Sequence, residues 1–357
     1  MDNHNSLTIN GIKYSAIQLS QLCNQKIHDV EVDDWEKDIF KFIHKWISQS
    51  HSITVSTSGS SGSPKEIELQ KSAMITSALA TVKALNIVPN NTIWLCLPIH
   101  YIAGIMVVVR AFAENLNLVY SKPVSMPTLE TKTKVDFVSM IPSQVTTLLE
   151  TEKGKTQLEQ IGKILIGGSG ITPTLESMII ENKNIDAYHS YGMTETITHI
   201  ALRRIGNKTS IGDFIPLSGV NISTNKENQL IITYPDIGVF NLKTVDIATI
   251  FDDGSFTILG RKDDIIISGG VKLHPTEIEN KIKEIIACEL SIGGIPDEKL
   301  GQKLVLYIEG KESDLTIESL REKLTHKLSK YQIPKEIIFV KEFKRTGSGK
   351  IIRNKMS

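Results

Sequence analysis

The chain carries no surplus charge. Lysine plus arginine equals aspartate plus glutamate at 40 each, which removes any global attraction to nucleic acid or to an anionic membrane. Any anion site must therefore be local. Cysteine is scarce: Cys23, Cys96 and Cys288 lie far apart and match no zinc or CxxC spacing. Buried reduced thiols are the expectation, and with them a cytoplasmic location. Long apolar runs are missing too. The longest, Ile105–Ala113, is broken by Arg110 and is too short to span a bilayer. The start, MDNHNSLTIN, lacks a basic segment followed by an apolar one, which excludes a secretory signal. What remains is 40% hydrophobic and 22% charged over 357 residues, a globular composition with length for about two domains.

Near the N-terminus, Trp35, Ile39, Phe42, Ile43 and Trp46 recur at helical spacing and predict a packed helix. Ser52–Ser56 is a β-branched strand that runs into a glycine loop, and Ile67–Leu69 is a returning strand. A helix follows from Ser72. Strand-like runs at Thr92–Leu97, Leu116–Tyr120, Asp136–Met140 and Lys163–Ile166 then alternate with amphipathic segments, which predicts a layered α/β domain. From Asn207 to Leu259 the helical period fades into short strands, with turns at Asn225–Asn228 and Asp252–Gly254. The character changes again at Gly260–Asp264. Beyond it a capping box at Thr276-x-x-Glu279 predicts a helix start, followed by a strand at Lys303–Ile308, a helix over Ile317–Lys330 and a strand at Glu336–Val340. The expected organisation is a large α/β domain with a β-rich subregion over 1–260 and a small α+β domain over 261–357.

The loop Thr57-Ser58-Gly59-Ser60-Ser61-Gly62-Ser63-Pro64-Lys65 is almost all hydroxyls and hydrogens, closed by one cation. It is not a Walker A loop, which needs four residues between its glycines and lysine directly after the second. Strand-like flanks make it a poor flexible linker. Taken alone it fits a phosphate cradle and a plain surface turn equally well.

Other stretches break the tie. The loop resembles the phosphate loop of adenylate-forming enzymes, the superfamily of acyl-CoA synthetases, luciferases and peptide-synthetase adenylation domains. Tyr191-Gly192-Met193-Thr194-Glu195 is similar to the family's YGxTE element. Thr244-Val245-Asp246 stands where a ribose-binding aspartate belongs, with Val245 in place of the usual glycine. Gly260-Arg261-Lys262-Asp263-Asp264, Ser268-Gly269-Gly270 and Pro275-x-Glu277-Ile278-Glu279 resemble the hinge element. Thr346-Gly347-Ser348-Gly349-Lys350 resembles the C-terminal lysine motif. The resemblance runs from about residue 52 to the end.

It implies that a carboxylate attacks the α-phosphate of ATP and releases pyrophosphate, after which coenzyme A takes the acyl group. Both partners in the first step are anions, so the site must neutralise charge before they meet. By resemblance, Thr57 and Ser58 with the amides of Gly59–Gly62 wrap the β- and γ-phosphates, and Lys65 supports them or is an exposed lysine. Glu195 suits Mg²⁺, which prefers carboxylate and phosphate oxygens. Thr194 reaches the α-phosphate, Tyr191 offers a face for adenine, Ser190 meets its edge, and Gly192 and Met193 complete the turn. Gly167-Gly168-Ser169-Gly170 forms the opposite wall, or is a simple strand-to-helix turn. Asp246 and Arg261 hold the ribose. Lys350 bridges carboxylate and α-phosphate, and losing one such contact commonly costs roughly 10²–10³ in rate. Asp263 is the hinge about which a mobile small domain withdraws Lys350 and brings Ser268, Gly269 and Gly270 toward the adenylate. Lys272 contacts phosphate in one state or is a surface lysine.

The phosphate loop begins at Thr57, early for the family, which implies a shortened N-terminal region and a small acyl pocket. Leu97–Gly104 resembles the acyl-pocket element. The lean build and YGMTET look most like CoA ligases of small aromatic or dicarboxylic acids, for which His100, Thr196 and Thr198 are candidate substrate contacts; His100 suits a packed core histidine nearly as well. A nucleotide-binding pseudoenzyme of the same fold is the rival from another class, and a P-loop NTPase the third reading. The expected partners are a small acid, ATP and CoA, with no nucleic acid and no membrane insertion; a homo-oligomer is neither required nor excluded.

Overall fold

The computed structural model describes residues 6–57, 65–129, 134–206, 210, 212–286, 288–310, 317–344 and 351. The chain opens with β1 (Leu7–Ile9), β2 (Ile12–Tyr14), α1 (Ala16–His28) and α2 (Asp34–Ile47), then the hairpin β3 (Ser52–Thr57) and β4 (Lys65–Gln70). Next come α3 (Lys71–Ala84), β5 (Thr92–Leu95), α4 (Ile102–Ala113), β6 (Asn117–Tyr120) and β7 (Phe137–Met140). These lead to α5 (Pro142–Leu149), α6 (Glu152–Glu159), β8 (Lys163–Ile166), α7 (Pro173–Glu181), β9 (Ala187–Gly192), β10 (His199–Arg204) and β11 (Ile215–Pro216).

These elements build one nine-stranded sheet in the order β11-β10-β9-β8-β7-β5-β6-β1-β2. Its six central strands, from β9 to β1, are parallel. Parallel strands are buried on both faces, which explains why the middle ones, β5, β7 and β8, are near-continuous apolar runs rather than alternating ones. Ile93, Leu95, Phe137 and Leu165 join the core cluster that contains α3 and α4. Trp94, Val138, Ile164 and Ile166 face the other way, into the cluster of α5, α6 and α7. The predicted N-terminal stripe is α2, with Ile39, Phe42, Ile43 and Trp46 buried.

A second, four-stranded sheet follows: β12 (Asn221–Thr224), β13 (Gln229–Tyr234), β14 (Val239–Ile250) and β15 (Phe256–Arg261). A 3₁₀ turn at Lys262–Asp264 leads out of it. The remaining elements are β16 (Ile266–Ser268), β17 (Val271–Leu273), α8 (Pro275–Lys283), β18 (Leu290–Asp297), β19 (Gly301–Glu309), α9 (Ile317–Lys327) and β20 (Glu336–Val340). They form a five-stranded sheet with a core of its own, centred on Ile278, Leu306 and Leu324.

The expected capping box is not formed. Helix α8 begins at Pro275, two residues early, with His274 rather than Thr276 at the cap and no side-chain cap bond. Proline fixes the first helical position, and Glu279 instead turns inward to the Ser291 hydroxyl at 3.1 Å and the Ile292 amide at 2.7 Å. No helix among the described residues is long and apolar enough to cross a membrane.

Candidate active site

From β5 the chain moves outward to β6, and from β7 it moves the opposite way to β8 and β9. That reversal leaves a crevice at the carboxyl ends of the strands, where open α/β sheets bind ligands. The loop after β8 lies at this edge. A Cβ on Gly167 would sit 2.5 Å from the Ser190 Oγ, so only glycine lets the two segments close. Gly168 is exposed at φ +88°. Across the gap the Ser190 hydroxyl donates to the Ile166 carbonyl at 3.1 Å, and the His189 ring meets the Ser169 carbonyl at 3.3 Å. His189 is lowered to about 4 by burial first and by Arg203 second. It is neutral at neutral pH and can stitch the wall without adding charge.

Tyr191 packs against Phe214 and Phe256, at ring distances of 5.7 and 5.5 Å. Its hydroxyl donates to Asp246 Oδ2 at 2.6 Å. Burial, and then the Asp246 charge, raise this phenol well above its ordinary range, so it stays a donor. Asp246 stands opposite Arg261 in the β14–β15 ladder. Val245 leaves that pairing intact, since β14 runs unbroken through it. The Arg261 Nε is buried with no partner among the described residues, and its Nη2 lies 3.7 Å from Asp263. The other Asp246 oxygen, with no hydrogen bond among the described residues, beside an unspent guanidinium donor suits a pair of sugar hydroxyls. Tyr191→Phe is expected to raise the KM for ATP about 10-fold, the equivalent of one charge-assisted hydrogen bond, while the KM for the acid stays put. Steady-state titration of each substrate checks it.

Thr194 and Glu195 lie on a 3₁₀ turn, Thr194–Thr196, directly after β9. The Glu195 side chain is exposed, and among the described residues no group of three His, Cys, Asp or Glu could hold a metal. A hard cation here would share one carboxylate with phosphate oxygens, which is how Mg²⁺ is commonly held. Thr196 is fully buried. Its hydroxyl lies 3.1 Å from the Met193 amide, 2.9 Å from the Met193 carbonyl and 2.7 Å from the Thr198 carbonyl. That hydroxyl is spent on the turn, so Thr196 is a brace rather than a substrate contact. The next residue is strained. Ile197 has φ +66° and ψ −58°, and the Thr198 amide bonds the Thr196 carbonyl at 2.7 Å. This is a γ-turn of the rare hand, on a β-branched residue, costing on the order of 1–3 kcal/mol. Gly192 makes room for it: a Cβ there would lie 2.3 Å from the Thr198 carbonyl.

The hydroxyl loop is presented by the β3–β4 hairpin, where Thr57 pairs with Lys65. Ser58, Gly59, Ser60, Ser61 and Gly62 lie outside the described residues, as does Lys350. Ser268, Gly269 and Gly270 form the β16–β17 hairpin tip, with φ +57° and +80° at the two glycines. Both need positive φ, so glycine is required twice. No hydrogen bond or ion pair joins this tip to Tyr191, Thr194 or Glu195 among the described residues. Asp263 is exposed in the turn after β15, beside Lys262, which bonds Glu227 at 2.8 Å. His100 is exposed, its ring 4.4 Å from that of Tyr101, so it is not a packed core histidine.

Arg110 was passed over as a site residue. It is 2% exposed in α4, its guanidinium lies 5.9 Å from the Phe137 ring centroid, and its Nε has no partner among the described residues. Burial alone lowers it to about 9, with no acidic neighbour contributing. Its charge reaches His199, the first residue of β10, three residues beyond the Thr194–Thr196 turn. The signal was present in the sequence: a lone cation inside the apolar run Ile105–Ala113.

The Asp246 carboxylate paired with Arg261, the Tyr191 ring bonded to it and the turn carrying Thr194 and Glu195 are thus linked through β9, β14 and β15. The family model for AMP-binding enzymes matches residues 25–231, and that for the AMP-binding enzyme C-terminal domain matches 280–350. The chain belongs to the AMP-binding enzyme family. Among curated relatives, 2-succinylbenzoate–CoA ligase of Listeria monocytogenes is 30% identical over 345 residues, covering 88% of this chain and 72% of the relative. Among solved structures, an AMP-forming acyl-CoA synthetase/AMP-acid ligase II-like protein from Dyadobacter fermentans is 31% identical with a TM-score of 0.63, covering 93% of this chain and 95% of that one. The o-succinylbenzoate CoA synthetase of Bacillus subtilis, solved with its acyl-adenylate, shares the fold at 20% identity and a TM-score of 0.73, covering 94% and 80%.

Proposed function

We propose that the chain is an AMP-forming acid–thiol ligase whose acid is o-succinylbenzoate, an aromatic acid with two carboxylates. The relatives' activity supports the class, and one observation carries the substrate: Arg110 is a buried cation with no acidic partner among the described residues. An uncompensated buried charge is expensive, and a ligand carboxylate is the natural counter-ion. One carboxylate goes to Arg110. The other faces Thr194 and the α-phosphate of ATP.

In the first step a carboxylate oxygen attacks the α-phosphorus and the bond to pyrophosphate breaks. Asp246 and Arg261 fix the ribose, Tyr191 stacks on adenine, and the Thr57–Lys65 loop takes the β- and γ-phosphates. Glu195 would hold Mg²⁺, which supplies charge neutralisation at the phosphates. Lys350 bridges the two anions as they meet. In the second step the CoA thiol attacks the acyl carbon and AMP leaves. For this the small domain, bounded near residue 261, turns about Asp263 and brings Ser268, Gly269 and Gly270 to the adenylate.

The test is a mixture of ATP, Mg²⁺, CoA and single acids: o-succinylbenzoate, benzoate and a fatty acid. Pyrophosphate and a CoA thioester are expected with o-succinylbenzoate, at a kcat/KM at least 10²-fold above benzoate, from pairing one buried charge. Equal turnover of benzoate would overturn the dicarboxylate reading. Orthophosphate would point to an NTPase, and no product at all to a nucleotide sensor.

A further inference from the structure

Two side chains beside the acid half of the site have no role in the steps above, and they are joined. Thr81, fully buried in α3, gives its hydroxyl hydrogen to the Ser77 carbonyl at 3.1 Å. Its oxygen therefore meets His199 Nε2, 3.2 Å away, as an acceptor, and that nitrogen carries the hydrogen. Burial first, and the Arg110 charge second, lower His199 to about 3, so the ring is neutral and holds only one hydrogen. Its Nδ1 must then be an acceptor. The Thr198 hydroxyl, 3.1 Å away, donates to it. One hydrogen serves each link from Thr198 to His199, to Thr81 and on to Ser77.

Thr198 is the half-buried end of this chain of bonds. Its backbone is held from the other side by the γ-turn at Ile197 and the Thr196 hydroxyl. A residue fixed by strain on one side and by a buried relay on the other is over-determined, and such strain collects at ligand sites. With the ring neutral, Arg110 is the buried cation beside it among the described residues, matched to a single substrate carboxylate.

We infer that Thr81 and His199 are positioning residues for the acid: Thr81 orients the imidazole, and the imidazole, by accepting the Thr198 hydroxyl hydrogen, locks the Thr198 side chain in one orientation in the wall that the acid packs against. This rests on the reading of Arg110 as the carboxylate receptor. The experiment compares Thr81→Val, His199→Leu, His199→Gln and Arg110→Met in the full chain, with o-succinylbenzoate, ATP and CoA. Thr81→Val and His199→Leu are expected to raise the KM for the acid about 10-fold, the loss of one buried hydrogen bond, with the KM for ATP within about twofold. His199→Gln keeps one donor and one acceptor and is expected to restore the acid KM. A lower melting temperature with an unchanged acid KM would mean a packing role and overturn the inference, as would Leu and Gln variants that behave alike. If His199→Leu fails to fold, Thr81→Val, which keeps the shape and loses only the hydroxyl, decides alone. Wild-type acid affinity in Thr81→Val beside its loss in Arg110→Met overturns this inference only. Wild-type affinity in Arg110→Met overturns the receptor itself.

Discussion

Arg110→Met is expected to melt at a higher temperature than the wild-type protein while losing most of its turnover of o-succinylbenzoate. The two effects share one cause. Among the described residues no carboxylate pairs with the buried guanidinium, and burial lowers it from its ordinary range to about 9. A base whose folded value lies below its unfolded one binds its proton less well in the fold. Below about pH 9 the native state therefore carries the whole penalty, and the penalty fades only as pH climbs from there toward the ordinary guanidinium range. Replacing buried charges with apolar groups of similar volume often gains about 1–4 kcal/mol, or very roughly 2–4 °C of Tm for each kcal/mol in a domain of this size. With substrate bound the sign reverses, because the carboxylate loses its partner. Truncating one member of a buried charge pair costs about 2–5 kcal/mol, which is a rise in acid KM of roughly 10²–10³-fold. Arg110→Lys should fall between, since an ammonium is a point charge without the planar fork. Thermal melts and acid titrations on the three proteins check this together. A variant less stable than wild type, with its acid KM unchanged, would make Arg110 a structural residue and remove the argument for a dicarboxylic acid.

The candidate nucleotide half of the site is legible in the chain because its demands are local. Gly167, Gly192, Gly269 and Gly270 are there because a side chain would collide or the backbone needs positive φ, and such needs leave short, readable signatures. Tyr191 precedes Gly192, Arg261 ends β15, and Asp246, inside β14, stands opposite Arg261, so order along the chain locates the first two and the ladder brings in the third. The acid half is different. Thr81, Arg110 and His199 come from α3, α4 and β10, 118 residues separate Thr81 from His199, and only packing brings the two together. Their type is uninformative alone: a threonine in a helix is ordinary, and a histidine starting a strand is ordinary. Arg110 is the exception, a lone cation inside the apolar helix α4. The hydroxyls of Thr196 and Thr198 look equivalent in the sequence. They part company because the γ-turn at Ile197 points one into the fold and leaves the other half-buried. The capping box at Thr276 failed for a related reason: a glutamate that could close a helix end was worth more bonding Ser291 and Ile292 across the small domain.

Lys350→Ala is expected to lower the rate of adenylate formation by 10²–10³-fold or more, and to leave conversion of preformed adenylate to thioester near the wild-type rate. The expectation rests on the sequence Thr346–Lys350 and on charge. When a carboxylate oxygen closes on the α-phosphorus, two anions approach and pyrophosphate gathers negative charge as it leaves. A cation placed between them stabilises that arrangement more than either reactant, so it acts on the barrier rather than on binding. Attack by a thiol on the finished adenylate has no such encounter, because the acyl group and the phosphate are already joined. Arg110→Met gives the contrasting pattern. A residue that holds the spectator carboxylate serves whenever the acyl group is bound, so both half-reactions should weaken together. Measuring pyrophosphate release from ATP and acid, and separately CoA thioester from synthetic adenylate, places each variant on this two-way test. Equal loss of both halves in Lys350→Ala would mean that the lysine holds the acyl group or the fold, and that the charge between the two anions comes from elsewhere in the site.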